Sequence, residues 1–462
     1  MGTDLLKSPL QGARVSALTS FRVYTLRANF LWNAAGSGAF ALSQWLVMVI
    51  FAKLGSPALV GRVVFGLALT TPLFVVAGFQ LRMVQGTDTE NRHTVGQYLG
   101  LRTSATIVAV LAAGVIAAVV WMAGSAAGPI VILWALSKGV DAGSDSLYGL
   151  FQQRERMDYV GLSLTIRGVA AIVAVAALFL LSHSVSLALA GLVVAWTSVL
   201  FLFDAPMARA LLKQRQGPRE SLRPVFSRHD LWPLCSEAAP LAVVGFLFAV
   251  QAQVPRYVVA DLFHERELGL FSAAAYLTVI GTTLVNALCA PASVRLARSF
   301  LAGARSDVLQ LTIKLIAVAA ALGAVGILVS AFAGARILRL LYTSEYSHMS
   351  SVLIALCVGS AISYLCFPLG YAMTALRRYK VQVPIFVTVV VVTLLSCYLL
   401  TRHYGLMGAA IGVLLGNLAQ FLMSAWVVGR TCWRPRGGAP AEAVGITSVK
   451  PYVEPTVGLI CE

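Results

Sequence analysis

Lys138, Asp141 and Asp145 lie close together in WALSKGVDAGSDSLYG (134–149), a stretch otherwise apolar enough to sit in a lipid bilayer. Facing lipid, each charge would cost about 2.5–3.5 kcal/mol on insertion scales. A helix advances about 100° per residue. With Lys138 at zero, Trp134, Asp141, Asp145, Tyr148 and Gln152 then fall between about −20° and −80°, on one narrow face. That face must look into protein or water. Two readings are open for it. A Lys138–Asp141 ion pair is buried between helices, with Asp145 near the cytoplasmic edge; or the face is a hydrated wall in which Lys138 attracts an anion and an aspartate takes up a proton or other cation.

The first apolar segment repeats the theme. Asn29, Asn33, Ser37, Phe40 and Gln44 fall within about 80° of one another, a stripe suited to interhelical hydrogen bonds or to lining a wet path. Near residue 250, Gln251, Gln253 and Pro255 precede Arg256, which either snorkels to the membrane surface or clamps a phosphate group. Glu237 stands at the start of the same segment. Gly408, Gly412 and Gly416, four apart, suit close helix packing. P-loop, HExxH and GxSxG motifs are missing, as is a carboxylate pair on an outer connection. The outer connections AGSAAG and SHS are short. An enzyme, a metal site and a cofactor are therefore not expected.

These residues need a membrane-embedded scaffold. Of the 462 residues, 58% are hydrophobic and 12% charged, against roughly 45–50% and 25% in soluble domains. The expected fold is an all-α polytopic membrane protein of about 12 transmembrane helices in two six-helix lobes around a central cavity. Segments of roughly 20 residues are placed near 29–52, 63–84, 103–123, 129–152, 162–182, 185–207, 232–258, 268–291, 309–333, 350–374, 381–401 and 406–429. The first is too long for a cleavable signal core and reads as a retained span. With the N-terminus in the cytoplasm, 27 of the 35 Lys and Arg fall on cytoplasmic flanks, Arg82, Arg102 and Arg167 among them, seven outside, and Lys138 within the bilayer. This is a strong positive-inside pattern. Both termini are then cytoplasmic, and the net charge of +16 serves topology and anionic lipid contact, with no nucleic-acid partner expected. The seven cysteines show no metal or disulfide spacing and read as small hydrophobes.

The expected domains are a cytoplasmic segment 1–28, an N-terminal lobe 29–207 and a basic cytoplasmic linker 208–231, then a C-terminal lobe 232–430 and a disordered cytoplasmic tail 431–462. Gly61 and Gly269 follow similar short turns, a hint of an internal repeat such as transporters use.

Several stretches resemble bacterial polysaccharide-biosynthesis flippases of the Wzx type. VPRYVVADLFHERELGLFSAAAYLTVIGTTLVNALCAPASVRLARSF (254–300) carries V-P-R-Y, an E-R-x-L-G-x-F turn and a VNALxxxASxRLA run, with His264 where that family often has Gly. LRMVQGTD (81–88), YGLFQQRERM (148–157) and GLMGAAIGVLLGN (405–417) are similar to other family segments. The superfamily also holds multidrug extruders and lipid II flippases. The resemblance implies two lobes that alternate between inward- and outward-open. It implies a cargo of oligosaccharide on polyprenyl diphosphate, moved across the bacterial inner membrane for exopolysaccharide, capsule or O-antigen assembly, with polysaccharide polymerase and export proteins as partners. A buried hydroxyl without a partner costs roughly 2–7 kcal/mol, so the sugars need a wet path, for which Asn33 and Gln44 are candidates. For the diphosphate the candidates are Arg27, Lys138, Arg256 and Arg295; for coupling, Asp141 and Asp145. Three rivals are a cation-coupled drug or small-molecule antiporter, a membrane enzyme such as a polysaccharide polymerase or ligase, which the short outer connections disfavour, and a non-transporting membrane component of a polysaccharide assembly complex.

Overall fold

Helix starts follow local side-chain chemistry. Thr25 and Ser56 accept backbone N–H bonds ahead of the first two helices, and Pro57 occupies a first-turn position where its missing N–H costs nothing. Thr94 and Gln97 form a reciprocal capping box. The computed structural model describes residues 25–88, 92–213, 221–302, 304–376 and 379–433. It is 91% helix, and no strand is present among the described residues.

In chain order the helices are α1 (Leu26–Leu54), α2 (Pro57–Gly78), α3 (Leu81–Thr87), α4 (Val95–Met122), α5 (Gly128–Gln153), α6 (Met157–Ser182) and α7 (Val185–Val199). A π-turn, Leu200–Asp204, leads into α8 (Ala205–Lys213). Then come α9 (Arg228–Leu262), α10 (Glu265–Leu301), α11 (Arg305–Leu341), a 3-10 turn Ser344–Met349, α12 (Ser350–Ala375) and α13 (Tyr379–Trp433). Among the described residues, ten helices are long and apolar enough to cross a membrane. The expected count of about 12 differs in two places. The charged α5, 26 residues long, is not among the ten. The 55-residue α13 was expected as two segments, and its backbone leaves helical geometry at Gly405, where φ is 59°. Beyond that turn, a Cβ on Gly408, Gly412 or Gly416 would abut Leu400, Cys397 or Thr393 in turn. That reversed order makes α13 a hairpin of two antiparallel arms, with the three glycines on the seam.

The expected linker begins within helix α8, and its described part from residue 221 to 227 is non-helical, with Val225 N–H donating to the Gly96 carbonyl at 2.9 Å. Residues 1–24, 214–220 and 434–462, which include most of the expected N-terminal segment and tail, lie outside the described residues. The five cysteines with described side chains, 235, 289, 357, 366 and 397, are free.

The largest apolar cluster joins the end of α1 and start of α2 (Val47, Phe51, Val60, Val64) to α10 (Leu268, Phe271), α11 (Leu338) and α12 (Leu353). The chain crosses here with little room. A Cβ on Gly61 would lie 1.8 Å from the Glu265 carbonyl oxygen, and one on Gly269 would lie 1.8 Å from that of Pro57. The contact is reciprocal at a common offset of 208 residues (265 − 57 and 269 − 61). Only glycine permits so close a backbone approach. Arg62 pairs with Glu265, Trp45 Nε1 donates to Tyr342 Oη at 3.3 Å, and Tyr257 Oη donates to the Ala68 carbonyl at 2.6 Å. At the other end of α1, Phe30, Leu31 and Trp32 are 42–65% exposed.

Candidate functional site

The polar face of α5 is turned away from its exposed apolar one. Ile132 and Leu136 are 46% and 42% exposed, and they stand about 120° and 160° around the helix from Lys138. Each aspartate on the polar face is met by arginine from another helix. Asp145 Oδ2 lies 3.0 Å from Arg102 Nη2 on α4, and Oδ1 lies 3.7 Å from Arg82 Nη1 on α3. Arg82 also reaches Gln152 and stands over the Tyr148 ring. The short α3 is seated by glycines: Gly149 abuts Gln85 and Gly86 abuts Gln152.

Asp141 pairs with Arg167 of α6, Nη2 to Oδ1 at 2.8 Å, rather than with Lys138. Arg167 is fully buried. Its Nη1 donates to Tyr148 Oη at 3.3 Å, Tyr148 Oη and Ser163 Oγ are 2.7 Å apart, and the guanidinium lies 4.5 Å from the Trp196 ring centroid. The Asp141 side chain is 38% exposed, so the pair has one buried and one open end. Lys138 is one turn away, close enough for its charge to act on Asp141. No carboxylate lies within 4 Å of its ammonium among the described residues. Arg82, Arg102, Lys138 and Arg167 thus face Asp141 and Asp145, two cations in excess. Such a wall attracts an anion.

The other expected residues are distributed along the bundle. Asn33 and Gln44 are half-buried on α1, and Asn33 Oδ1 and Gln44 Nε2 have no protein partner, like Asn29 Oδ1. Buried polar atoms without partners call for a wet or ligand-binding explanation. Arg256 folds back on α9, with Nη1 at 2.8 Å from Gln253 Oε1 and 3.1 Å from the Ala252 carbonyl, and its guanidinium lies 5.7 Å from the Tyr276 ring centroid. Arg27 and Arg295 are exposed on α1 and α10. Neither they nor Arg256 joins the hydrogen bonds of the α5 cluster. In the second half of the chain, Gln251 Nε2 donates to Asn417 Oδ1 and Gln420 Oε1, both at 3.3 Å, and Asn417 Nδ2 donates to Gly359 at 3.0 Å. That amide cluster is uncharged and ties α9 and α12 to α13. No group of three His, Cys, Asp or Glu side chains able to hold a metal occurs among the described residues.

Sequence reading placed Arg167 with the cytoplasmic flank charges and passed over Asp204. The available signal for Arg167 was its place inside SLTIRGVAAIVAV, with apolar residues on both sides. For Asp204 it was an acid after LFLF, before Pro206. Arg82 and Arg102 were counted for topology alone.

Comparisons with known proteins bear on the family and the fold. The chain is 25% identical over 394 residues to the capsular polysaccharide biosynthesis protein CapF of Staphylococcus aureus, covering 85% of this chain and 96% of CapF. Its fold is similar to an inward-facing multidrug resistance MATE family transporter of the MOP superfamily, with a TM-score of 0.69 and 13% identity over 90% of this chain and 98% of that one. It is also similar to the lipid II flippase MurJ in an inward closed conformation, with a TM-score of 0.68 and 13% identity over 86% and 87% of the two chains. The polysaccharide biosynthesis protein family matches residues 26–296. The chain is thus a multi-pass membrane protein with a MATE- and MurJ-like helical fold, and by a match over more than half its length it belongs to the polysaccharide biosynthesis protein family.

Proposed function

We propose that the protein is a flippase that carries oligosaccharide on polyprenyl diphosphate across the bacterial inner membrane by alternating access. The observation that carries this reading is the cation-rich α5 face inside an otherwise apolar bundle, in a chain of the polysaccharide biosynthesis family. A diphosphate is the anionic part of such a cargo, and Lys138 is the cation left to meet it. Arg256 adds a second cation from α9. The unpartnered amides of Asn33 and Gln44 supply hydrogen bonds to sugar hydroxyls, while the polyprenyl chain stays in lipid. A cationic drug would meet repulsion from the two excess positive charges, which counts against the antiporter rival.

In this reading the two lobes are 29–207 and 232–430, and basic flanks hold both termini in the cytoplasm. The Gly61–Gly269 contact then lies at the outer end, and the cargo is loaded from the cytoplasmic side. The fold neighbours are a MATE family transporter and a lipid II flippase, which supports transport over catalysis by this chain. The test is a leaflet assay in cells that make the lipid-linked sugar, comparing intact protein with Lys138→Ala and Arg256→Ala. Outer-leaflet sugar should depend on intact protein and fall in both variants at normal membrane levels. Equal crossing in cells lacking the protein, with every related flippase removed, contradicts the proposal.

A further inference from the structure

The π-turn after α7 has a buried acid that the site above does not use. Single π-turns inside helices occur frequently at functional sites. Here the turn carries Asp204, which is fully buried. Ser144 Oγ of α5 donates to its Oδ2 at 2.8 Å, while Oδ1 is buried without a partner. The groups that act on it are Ser144 and Tyr148 from α5, and Ser163 and Arg167 from α6. Arg209 and Lys213 of α8 are exposed. Arg167 is the only cation in the buried set of described residues, and it is already committed to Asp141 and Tyr148. Its Nε has no partner, and neither has Trp196 Nε1. One guanidinium therefore stands between two carboxylates and is bonded to the more open one.

An ionised carboxylate removed from water costs far more than one hydroxyl donor returns. Asp145 has two arginines and Asp141 has one; Asp204 has the hydroxyls of Ser144 and nearby Ser163 and no arginine bonded to it. We propose that Asp204 binds a small monovalent cation, a proton or a sodium ion, and is the coupling site of the N-terminal half. With the cation bound, Asp204 is neutralised and Arg167 stays with Asp141. When it leaves, the Asp204 carboxylate draws the unpartnered Nε of Arg167, and Asp141 is released toward the open side beside Lys138. If the cation is a proton, hydronium gives it to a carboxylate oxygen, leaving water, and release reverses that step. Binding itself does not depend on the flippase reading; the coupling role does.

The full-length protein in lipid nanodiscs decides the matter. Infrared spectra recorded at pH values where exposed carboxylates are ionised report the carbonyl stretch of a carboxylic acid that remains neutral, and equilibrium binding of radioactive sodium reports the metal. One of the two signals should be present in intact protein, abolished in Asp204→Asn and retained in Asp307→Asn, an exposed acid far from the site in sequence. Asp141→Asn frees Arg167 for Asp204 and should weaken cation binding about tenfold or more, which keeps the proposal testable if Asp204→Asn does not fold. Neither signal in intact protein, a signal surviving Asp204→Asn, or unchanged affinity in Asp141→Asn overturns it. Flipping measured on the same preparation separates the two ideas. A cation signal without flipping removes the flippase reading and keeps the site; flipping without a cation signal does the reverse.

Discussion

The closed end of the bundle offers a quantitative test of alternating access. In Gly269→Ala the new Cβ would lie 1.8 Å from the Pro57 carbonyl oxygen, where ordinary contact begins at 3.4 Å. Neither partner is a flexible side-chain tip, so α2 and α10 must part by roughly 1.6 Å (3.4 − 1.8). Overpacking of this kind costs about 1–3 kcal/mol. The strain acts only while that end is shut, so the balance should move toward the opened state by about 5- to 150-fold. Spin labels at Lys53 and Asp261, both exposed, placed in a cysteine-free background, report the separation by pulsed dipolar spectroscopy. The long-distance population should grow in Gly269→Ala and stay unchanged in Gly38→Ala, since a Cβ on Gly38 meets nothing within 4 Å. Identical distance distributions for Gly269→Ala and the parent would refute the reasoning that this contact is a closed gate.

Other expectations follow from the charged cluster and the hairpin. Arg167→Met leaves Asp141 without its partner and should lower stability by about 3 kcal/mol, the lower end of the range for broken buried pairs, because Asp141 is 38% exposed. Thermal unfolding in detergent reads this, and Asp141→Asn combined with Arg167→Met should recover much of the loss. Lys138→Glu cancels the two-cation excess and should depress flipping at unchanged membrane level, while Lys138→Arg should keep it; equal flipping by all three proteins would remove Lys138 from the cargo path. Gly412→Leu puts side-chain bulk where a Cβ alone would lie 2.6 Å from Cys397, so the α13 hairpin should not close and folded yield should drop. A normal yield and melting profile would contradict the hairpin seam.

Periodicity alone was enough to group Lys138, Asp141 and Asp145 on one face, because 100° per residue is a local property. Their partners were not legible. Arg102 is 43 residues from Asp145, and Arg167 is 26 from Asp141, so tertiary packing decides those pairs. Counting basic residues by topology sorted Arg167 as a flank charge, although burial between Asp141 and Trp196 gives it a structural partner and a ring to stack on. The four-residue glycine spacing at 408, 412 and 416 already indicated a tight seam, and the structure supplies its other side at Thr393, Cys397 and Leu400. Gly61 and Gly269 were visible as similar turns, but their mutual contact depends on how two distant parts of the chain meet. Asp204 carried no local pattern; its meaning comes from the oxygen that packing leaves without a donor.

The central claim is that this chain by itself moves a lipid-linked oligosaccharide between leaflets. The most direct measurement reconstitutes the purified protein in vesicles holding a polyprenyl-diphosphate oligosaccharide and follows how much of it an external glycosidase can reach. With the protein present, the cleaved fraction should climb past the share initially in the outer leaflet toward complete cleavage, and Lys138→Glu should slow that climb. A fraction that stops at the initial outer-leaflet share, in intact vesicles with folded protein, would contradict the account.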